Sequence, residues 1–328
     1  MDLNVVFLGT GGSVPSARRA TACVLIRSGG ARILVDAGEG AQRQMINSTG
    51  LIQVDDVYIT HFHADHYLGL PGLLKTYDLM ERQKPLRVVG PPGLIALFDA
   101  LRRIFGRLRY EVELIELEPG EGIEHDGFEM RAFPVEHRMR ALGFAYVEPP
   151  RPGRFDVEAA KGLGITDPHD FGRLQRGETI SVDGSEIRPD QVLGDPRQGR
   201  KIVITGDTGP CEMTKIAAHA AQLLIHDGTF ALEEATRALD TGHSVARDAG
   251  VLAAEAEVEM LAIVHVSSRY NVAAVLNEAR QAFPNTVAPR DFDLVEIPFP
   301  ERGEPQLVQE GAKQRPEPQA EPIPVPGD

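Results

Sequence analysis

The chain is expected to fold as an α/β protein in which two packed sheets are flanked by helices. Short apolar runs alternate with stretches of helical spacing along most of the 328 residues. In each half, strand-like runs cluster first as hairpins and the helices follow, an order that fits packed sheets better than a doubly wound parallel sheet.

Val5–Leu8, Cys23–Arg27 and Arg32–Val35 read as strands separated by glycine turns. Val57–Thr60 is a further strand, and the chain after His66 turns helical through about Met80. Leu94–Ile104 carries apolar residues at helical spacing. Strands recur at Val112–Leu117, Phe128–Val135, Leu142–Val147 and Lys201–Thr205. Then come Leu223–His226, a helix over Val245–Glu257, Met260–His265 and a helix over Val272–Phe283. The segment 148–200, rich in Pro, Gly and charge, reads as an arm inserted into a domain spanning residues 1–300. Residues 301–328, rich in Pro, Glu and Gln, are expected to be a disordered tail.

Composition narrows the function. A net charge of −14 argues against a nucleic-acid coat spread over the whole surface. It leaves room for a local basic patch and for carboxylates that collect divalent metal. No apolar run is long enough to span a bilayer, and Met1-Asp2-Leu3-Asn4 lacks the pattern of a secretion signal. With Cys23 and Cys211 the only cysteines, neither a disulfide framework nor a cysteine-built zinc site is available. A reducing cytoplasm is the expected location.

The densest chemistry is Thr60-His61-Phe62-His63-Ala64-Asp65-His66, directly after an apolar strand. Four metal-capable side chains in six positions cannot be a satisfied apolar core, and a solvated histidine turn seldom follows a buried strand in this way. Neutral imidazole and carboxylate are the ligands zinc takes when thiolate is absent. His137, Asp207 and His265 each stand at or just past a strand-like run. A lone histidine there is more often structural, but the set of seven suffices for two ions with open positions. One partition gives His61, His63 and His137 to one ion and Asp65, His66 and His265 to the other, with Asp207 bridging.

The H-x-H-x-D-H run with its separated His, Asp and His resembles the metallo-β-lactamase superfamily. That resemblance implies a four-layer αββα sandwich with metals at the sheet edges, and gives Asp36 the part of orienting a ligand. More narrowly, Phe7-Leu8-Gly9-Thr10-Gly11, Gly69-Leu70-Pro71-Gly72-Leu73, Gly206-Asp207-Thr208 and His265-Val266-Ser267-Ser268-Arg269-Tyr270 resemble the ribonuclease Z family. Asp291–Glu296 is similar to its closing strand, and the likeness runs from about residue 3 to 298.

The resemblance implies a zinc-dependent endoribonuclease that hydrolyses a phosphodiester, removes the 3′ trailer of precursor tRNA and leaves a 3′-hydroxyl. Two Zn²⁺ per chain are expected, with manganese or iron also compatible with these ligands. A homodimer is expected, its arm reaching tRNA held by the partner. Asp65 is the expected proton acceptor as well as a ligand. His243 matches the histidine that protonates the leaving ribose oxygen, Asp227 its supporting carboxylate. Standing alone, His243 would be a neighbour of a helix cap. By spacing, Arg269 is equally a phosphate ligand or a surface ion pair, and the resemblance favours phosphate.

Three departures bear on substrate. His226-Asp227-Gly228-Thr229 stands where the family has His-Glu-Ala-Thr, shortening the carboxylate by one methylene. Pro15–Ala20 lacks the lysine and asparagine of the loop that senses the RNA 3′ end, with Arg18 and Arg19 as partial replacements. In the arm, Thr166–Gly172 occupies the region of the Gly-Pro element. His125 and His169 read as surface-loop residues and His219 as a helix residue without chemistry. Arg102, Arg103, Arg107 and Arg109 read as a solvated run or an RNA-facing patch. The alternatives are a phosphodiesterase or esterase of the same fold acting on a small non-RNA substrate, and a non-catalytic RNA-binding module.

Overall fold

The computed structural model describes residues 2–182 and 184–309. The first half runs β1 (Leu3–Gly9), β2 (Cys23–Ser28), β3 (Ala31–Val35), α1 (Ala41–Ser48), β4 (Asp56–Tyr58), the single turn α2 (Ala64–Tyr67), α3 (Leu70–Leu79), β5 (Leu86–Gly90), α4 (Leu94–Phe105) and β6 (Val112–Glu116). The second sheet begins with β7 (Gly122–His125), β8 (Phe128–Pro134) and β9 (Leu142–Val147). The inserted segment carries α5 (Val157–Gly162), α6 (Pro168–Gln175), β10 (Ile180–Val182) and β11 (Ser185–Ile187). The chain then returns through β12 (Lys201–Ile204), α7 (Glu212–Ala218), β13 (Leu223–Asp227), α8 (Ala235–Thr241), α9 (Ala246–Glu255), β14 (Met260–Val264), α10 (Val272–Ala282) and β15 (Thr286–Val287). It closes with β16 (Leu294–Glu296) and β17 (Gln306–Val308).

The two large sheets have the orders β17-β16-β1-β2-β3-β4-β5-β6 and β15-β14-β13-β12-β9-β8-β7. Both are mixed: hairpins occupy one part, and β3 to β6 and β12 to β15 run parallel. Burial explains the layering. Along β1, Val5 and Phe7 face the second sheet and pack with Phe128, Met130, Phe144 and Ile225. Val6 and Leu8, on the opposite face, pack with Leu70, Leu73 and Leu74 of α3 and with Phe98 of α4. The second sheet does the same, with Val203, Leu224 and Ile263 facing α9 and α10. Apolar side chains on both faces of a strand give the unbroken runs seen in the sequence and require a helical layer outside each sheet.

The strand ends that carry polar residues meet at one edge of this sandwich. Leu142 N–H donates to Thr60 O at 2.9 Å across the two sheets. Bridges Gly11↔Val266 and Glu136↔Gly209 join further loops along the same edge.

The arm has its own small core of Ala160, Ile165, Leu174, Ile180, Ile187 and Val192. Asp167 caps α6 by accepting from His169 N–H at 2.8 Å, so the Thr166–Gly172 stretch opens a helix. His169 is exposed, as is His219 at the end of α7.

Two expectations need correction. His125 is not in a surface loop: it ends β7, stacks on Phe128 at 4.5 Å between ring centroids, and lies 3.4 Å from buried Asp56. Burial, with Arg87 adding to it, pushes its imidazole down to about 4. Nor does disorder begin at residue 301. Residues 300–302 form a 3₁₀ turn, and β17 pairs antiparallel with β16. The ladder offered by β16 and the burial of Leu307 against the inter-sheet core outweigh the polar composition. The remainder of the expected tail, 310–328, lies outside the described residues. The arginine run is also less free than its composition suggests, since Arg109 donates to Asp78 through its backbone N–H at 2.7 Å.

Candidate active site

The histidine cluster is placed by β4 and the turn that follows. Thr60 N–H donates to Asp36 Oδ1 at 2.8 Å and its hydroxyl to Oδ2 at 2.9 Å, which ties this turn to the end of β3. His61 leaves the strand fully buried, and α2 then carries Asp65 and His66 back over the same edge. His137 arrives from the loop before β9, Asp207 from the end of β12 and His265 from the end of β14.

These seven residues form two adjoining donor sets. His61, His63, His137 and Asp207 each offer an atom to a first cluster, all within 4.8 Å of one another. His63 Nδ1 lies 2.9 Å from His61 Nε2 and 3.2 Å from His137 Nε2, and His61 Nε2 lies 3.5 Å from Asp207 Oδ2. Asp65, His66 and His265 form the second cluster, and Asp207 and His265 also converge with Asp227 and His243. His265 Nε2 stands 3.2 Å from Asp65 Oδ2 and 3.4 Å from Asp207 Oδ1, and His66 Nε2 stands 3.3 Å from that same Oδ1. Asp207 thus turns one oxygen to each cluster. Donors bonded at about 2.0–2.1 Å to one tetrahedral ion lie roughly 3.3–3.4 Å apart, so the spacing suits a metal.

Two atoms at the centre sharpen the fit. Among the described residues His66 Nε2 and Asp207 Oδ1 are buried without a well-formed hydrogen bond although they lie 3.3 Å apart, which is costly unless a cation meets them. The outer nitrogens, by contrast, are held. His61 Nδ1 lies 3.1 Å from Thr60 Oγ1, His66 Nδ1 2.7 Å from Asp36 Oδ2, His137 Nδ1 2.7 Å from Gly242 O, and His265 Nδ1 2.7 Å from Thr229 Oγ1. Such contacts orient an imidazole and leave its other nitrogen free for metal.

Electrostatics divide the donors: burial disfavours charge on His66 and His265, but Asp207 outweighs it and raises both, while His61 goes the other way. Burial, reinforced by neighbouring histidines, holds His61 well below its usual range and therefore neutral, the form a metal binds. Burial would raise the Asp207 carboxyl, but the fields of His265 and His66 outweigh it and keep Asp207 ionised. The backbone is strained here too: Asp36 (φ 58°) and His265 (φ 60°) occupy the left-handed region, where strain gathers at functional sites. Gly12 leaves the room His265 needs, since a Cβ on it would lie 2.6 Å from His265 Nδ1.

His243 stands beside the second cluster, its ring stacked on His265 at 5.2 Å between centroids. Its Nδ1 lies 2.7 Å from Asp227 Oδ2. Asp227 is fully buried and accepts from Thr229 N–H at 2.8 Å and Thr229 Oγ1 at 2.5 Å. Burial works against a charged His243, but Asp227 more than offsets it and raises the imidazole to about 9.

Arg269 is not drawn into the clusters: its half-exposed guanidinium lies 3.6 Å from Glu234, which also accepts from the Tyr270 hydroxyl. Arg19 is committed to its own loop, donating to Thr10 Oγ1 and, at 2.8 Å, to Pro289 O. Arg18 is exposed.

The sequence profile of the metallo-beta-lactamase superfamily matches residues 17–265. Ribonuclease Z of Methanosarcina acetivorans is 43% identical over 303 residues, covering 90% of this chain and 99% of that protein. The chain belongs to the ribonuclease Z family. The crystal structure of the short form of human tRNase Z superposes with a TM-score of 0.64 at 26% identity, over 90% of this chain and 99% of that one. The metallo-beta-lactamase fold protein YhfI from Bacillus subtilis, 19% identical, shares the fold with a TM-score of 0.67, over 90% of this chain and 100% of that one. As a ribonuclease Z family member the chain is a metal-dependent hydrolase, and its His/Asp clusters suit divalent metal.

Sequence reasoning missed several groups around this ribonuclease Z site. Thr60 and Thr229 hold imidazoles of the donor clusters, Gly242 does so through its carbonyl, and Ser13 N–H donates to Asp65 Oδ2 at 2.8 Å. Thr60 directly precedes His61 and Thr229 lies two residues after Asp227, and that closeness in sequence was the available signal. The backbone donors carry no signature in residue type.

Proposed function

We propose that this chain is a zinc-dependent endoribonuclease that cuts the 3′ trailer from precursor tRNA and leaves a 3′-hydroxyl. The observation that carries the reading is the Asp227–His243 pair set against two donor clusters that share Asp207. A centre that only bound metal or a small acidic-leaving-group ester would have no use for a buried carboxylate supporting a third-party imidazole.

His61, His63, His137 and Asp207 would hold one ion, and Asp65, His66, His265 and Asp207 the second. Bound there, two divalent ions would supply a nucleophile at neutral pH and neutralise phosphoryl charge. Asp65 accepts the proton released when water attacks, held in place by Ser13 N–H. His243 keeps Nδ1 bonded to Asp227, so its Nε2 proton is the one available to the departing ribose oxygen. Arg269 would exchange Glu234 for a substrate phosphate, an exposed ion pair being cheap to break.

The arm, with its core apart from the catalytic edge, serves in this reading to hold tRNA at a distance from the cut. Assembly as a homodimer and residence in the reducing cytoplasm, to which the two free cysteines are suited, belong to the same proposal. The test is incubation of metal-loaded protein with end-labelled precursor tRNA and mapping of the new end. Cleavage at the 3′ end of the acceptor stem with a free hydroxyl supports it. Turnover of a small phosphodiester without cleavage of precursor tRNA overturns it in favour of the small-substrate reading.

A further inference from the structure

The arm leaves the second sheet after β9 and returns to it at β12, so its only covalent attachment is a two-chain stalk. Glu148 N–H donates to Arg200 O at 2.9 Å, and Arg151 and Arg197 exchange two backbone bonds of 2.7 and 2.9 Å. Gly194 N–H to Arg154 O at 3.0 Å and Asp156 N–H to Val192 O at 2.7 Å continue this ladder, and two strands by themselves are marginally stable. Holding the arm in one direction calls for a contact beyond these two strands.

The chain after β16 supplies that constraint. Phe299 lies between guanidinium groups from both strands of the stalk, with Arg151 at 3.7 Å and Arg200 at 4.1 Å from the ring centroid. Glu301 accepts from Arg151 at 2.8 and 2.9 Å and from Arg197 at 2.9 Å, again one arginine per strand. Arg200, fully buried, also donates to Ile297 O at 3.1 Å and to Glu148 at 2.5 and 2.9 Å. The segment bearing Phe299 and Glu301 is fixed on both sides by β16 and β17, which belong to the first sheet. The arm springs from one sheet and is braced by the other.

We infer that Phe299 and Glu301 form a latch that sets the bearing of the arm relative to the metal-binding edge, making them positioning residues for the RNA substrate. Cation–π contact and a two-arginine carboxylate both need defined geometry, so together they hold a direction where apolar packing alone would allow sliding. A substrate gripped at two points gains from the second only when its distance and direction are fixed. This inference rests on the reading of the arm as a tRNA-holding element.

The experiment uses full-length, metal-loaded Phe299→Leu, Glu301→Gln and the double variant, with Phe299→Tyr as the conservative control. KM and kcat are measured on precursor tRNA and on a small phosphodiester dye, alongside Tm. Loss of the latch should raise KM for precursor tRNA about tenfold in the double variant, while kcat, dye turnover and Tm stay near wild type. Phe299→Tyr should keep the wild-type KM. An unchanged KM in the double variant, or equal slowing on both substrates, overturns the latch. If the double variant does not fold, Glu301→Gln alone decides the matter on the same readouts. Hydrogen exchange of the wild-type protein with and without precursor tRNA separates the two failures. Absence of protection across 156–192 sinks the arm's role itself, whereas protection there with unchanged KM in the variants sinks the latch alone.

Discussion

Asp227 reaches His243 Nδ1 at 2.7 Å although its side chain is one methylene shorter than the glutamate expected at that position. Gly228 follows it, and a Cβ there would come within 3.1 Å of Ile263 Cβ, so the backbone runs close against β14. The short carboxylate and the close-packed glycine suit one another.

That pair predicts an asymmetry between substrates. A ribose oxygen has a high pKa and must gain a proton as it departs, whereas an acidic phenol leaves without one. His243→Ala should slow RNA cleavage about 10²–10⁴-fold and affect a nitrophenyl phosphodiester far less. Asp227→Ala should show the same pattern more weakly, and Asp227→Glu tests how much longer a side chain the pocket admits. The comparison is made at equal metal content; equal slowing on both substrates in metal-replete His243→Ala would return His243 to a structural role.

Metal content should track the donor clusters. About two zinc equivalents per chain are expected, and Asp207→Ala, which removes a donor from both sets, should lose metal and nearly all activity. His63→Ala should act chiefly on the first set. Elemental analysis showing both ions retained in both variants would sink the ligand assignment.

The hydrogen bonds behind the donors make a quieter prediction. Asp36 holds His66 Nδ1 at 2.7 Å and takes both groups of Thr60. Asp36→Asn should weaken metal retention by about 10–100-fold without touching an ion. Titration with a competing chelator reads this directly, and wild-type retention would show that the outer contacts do not tune the site.

Deletion of the arm between about Pro150 and Gly199 should abolish precursor-tRNA processing and spare hydrolysis of the small phosphodiester. The seven converging residues and the His243–Asp227 pair all lie outside it, and its apolar cluster is separate from the inter-sheet core. Normal processing by a folded deletion protein would show that the arm does not engage substrate.

The layered α/β class and the residues able to bind metal can be read from the order of residues alone. Both signals are local or nearly so: unbroken apolar runs report burial on two faces, and His61 to His66 packs four donors into one turn. His137, Asp207 and His265 were legible because each ends a strand, and parallel strands in one sheet deliver their ends to one edge. The partners of those residues were set by contacts between distant elements. Asp207 faces two clusters because β12 lies in the sheet between β14, which leads to His265, and β8, which leads to His137, and Arg269 meets Glu234 because the loop after β14 packs beside the start of α8. His125 left the surface for the side of Asp56, and residues 301–308 left the expected tail to brace a stalk more than a hundred residues earlier in the chain. Composition and spacing describe a residue and its neighbours in sequence. A hydrogen bond, an ion pair or a stacked ring depends on where a distant strand has been laid, and that is settled only when both sheets close on their common core.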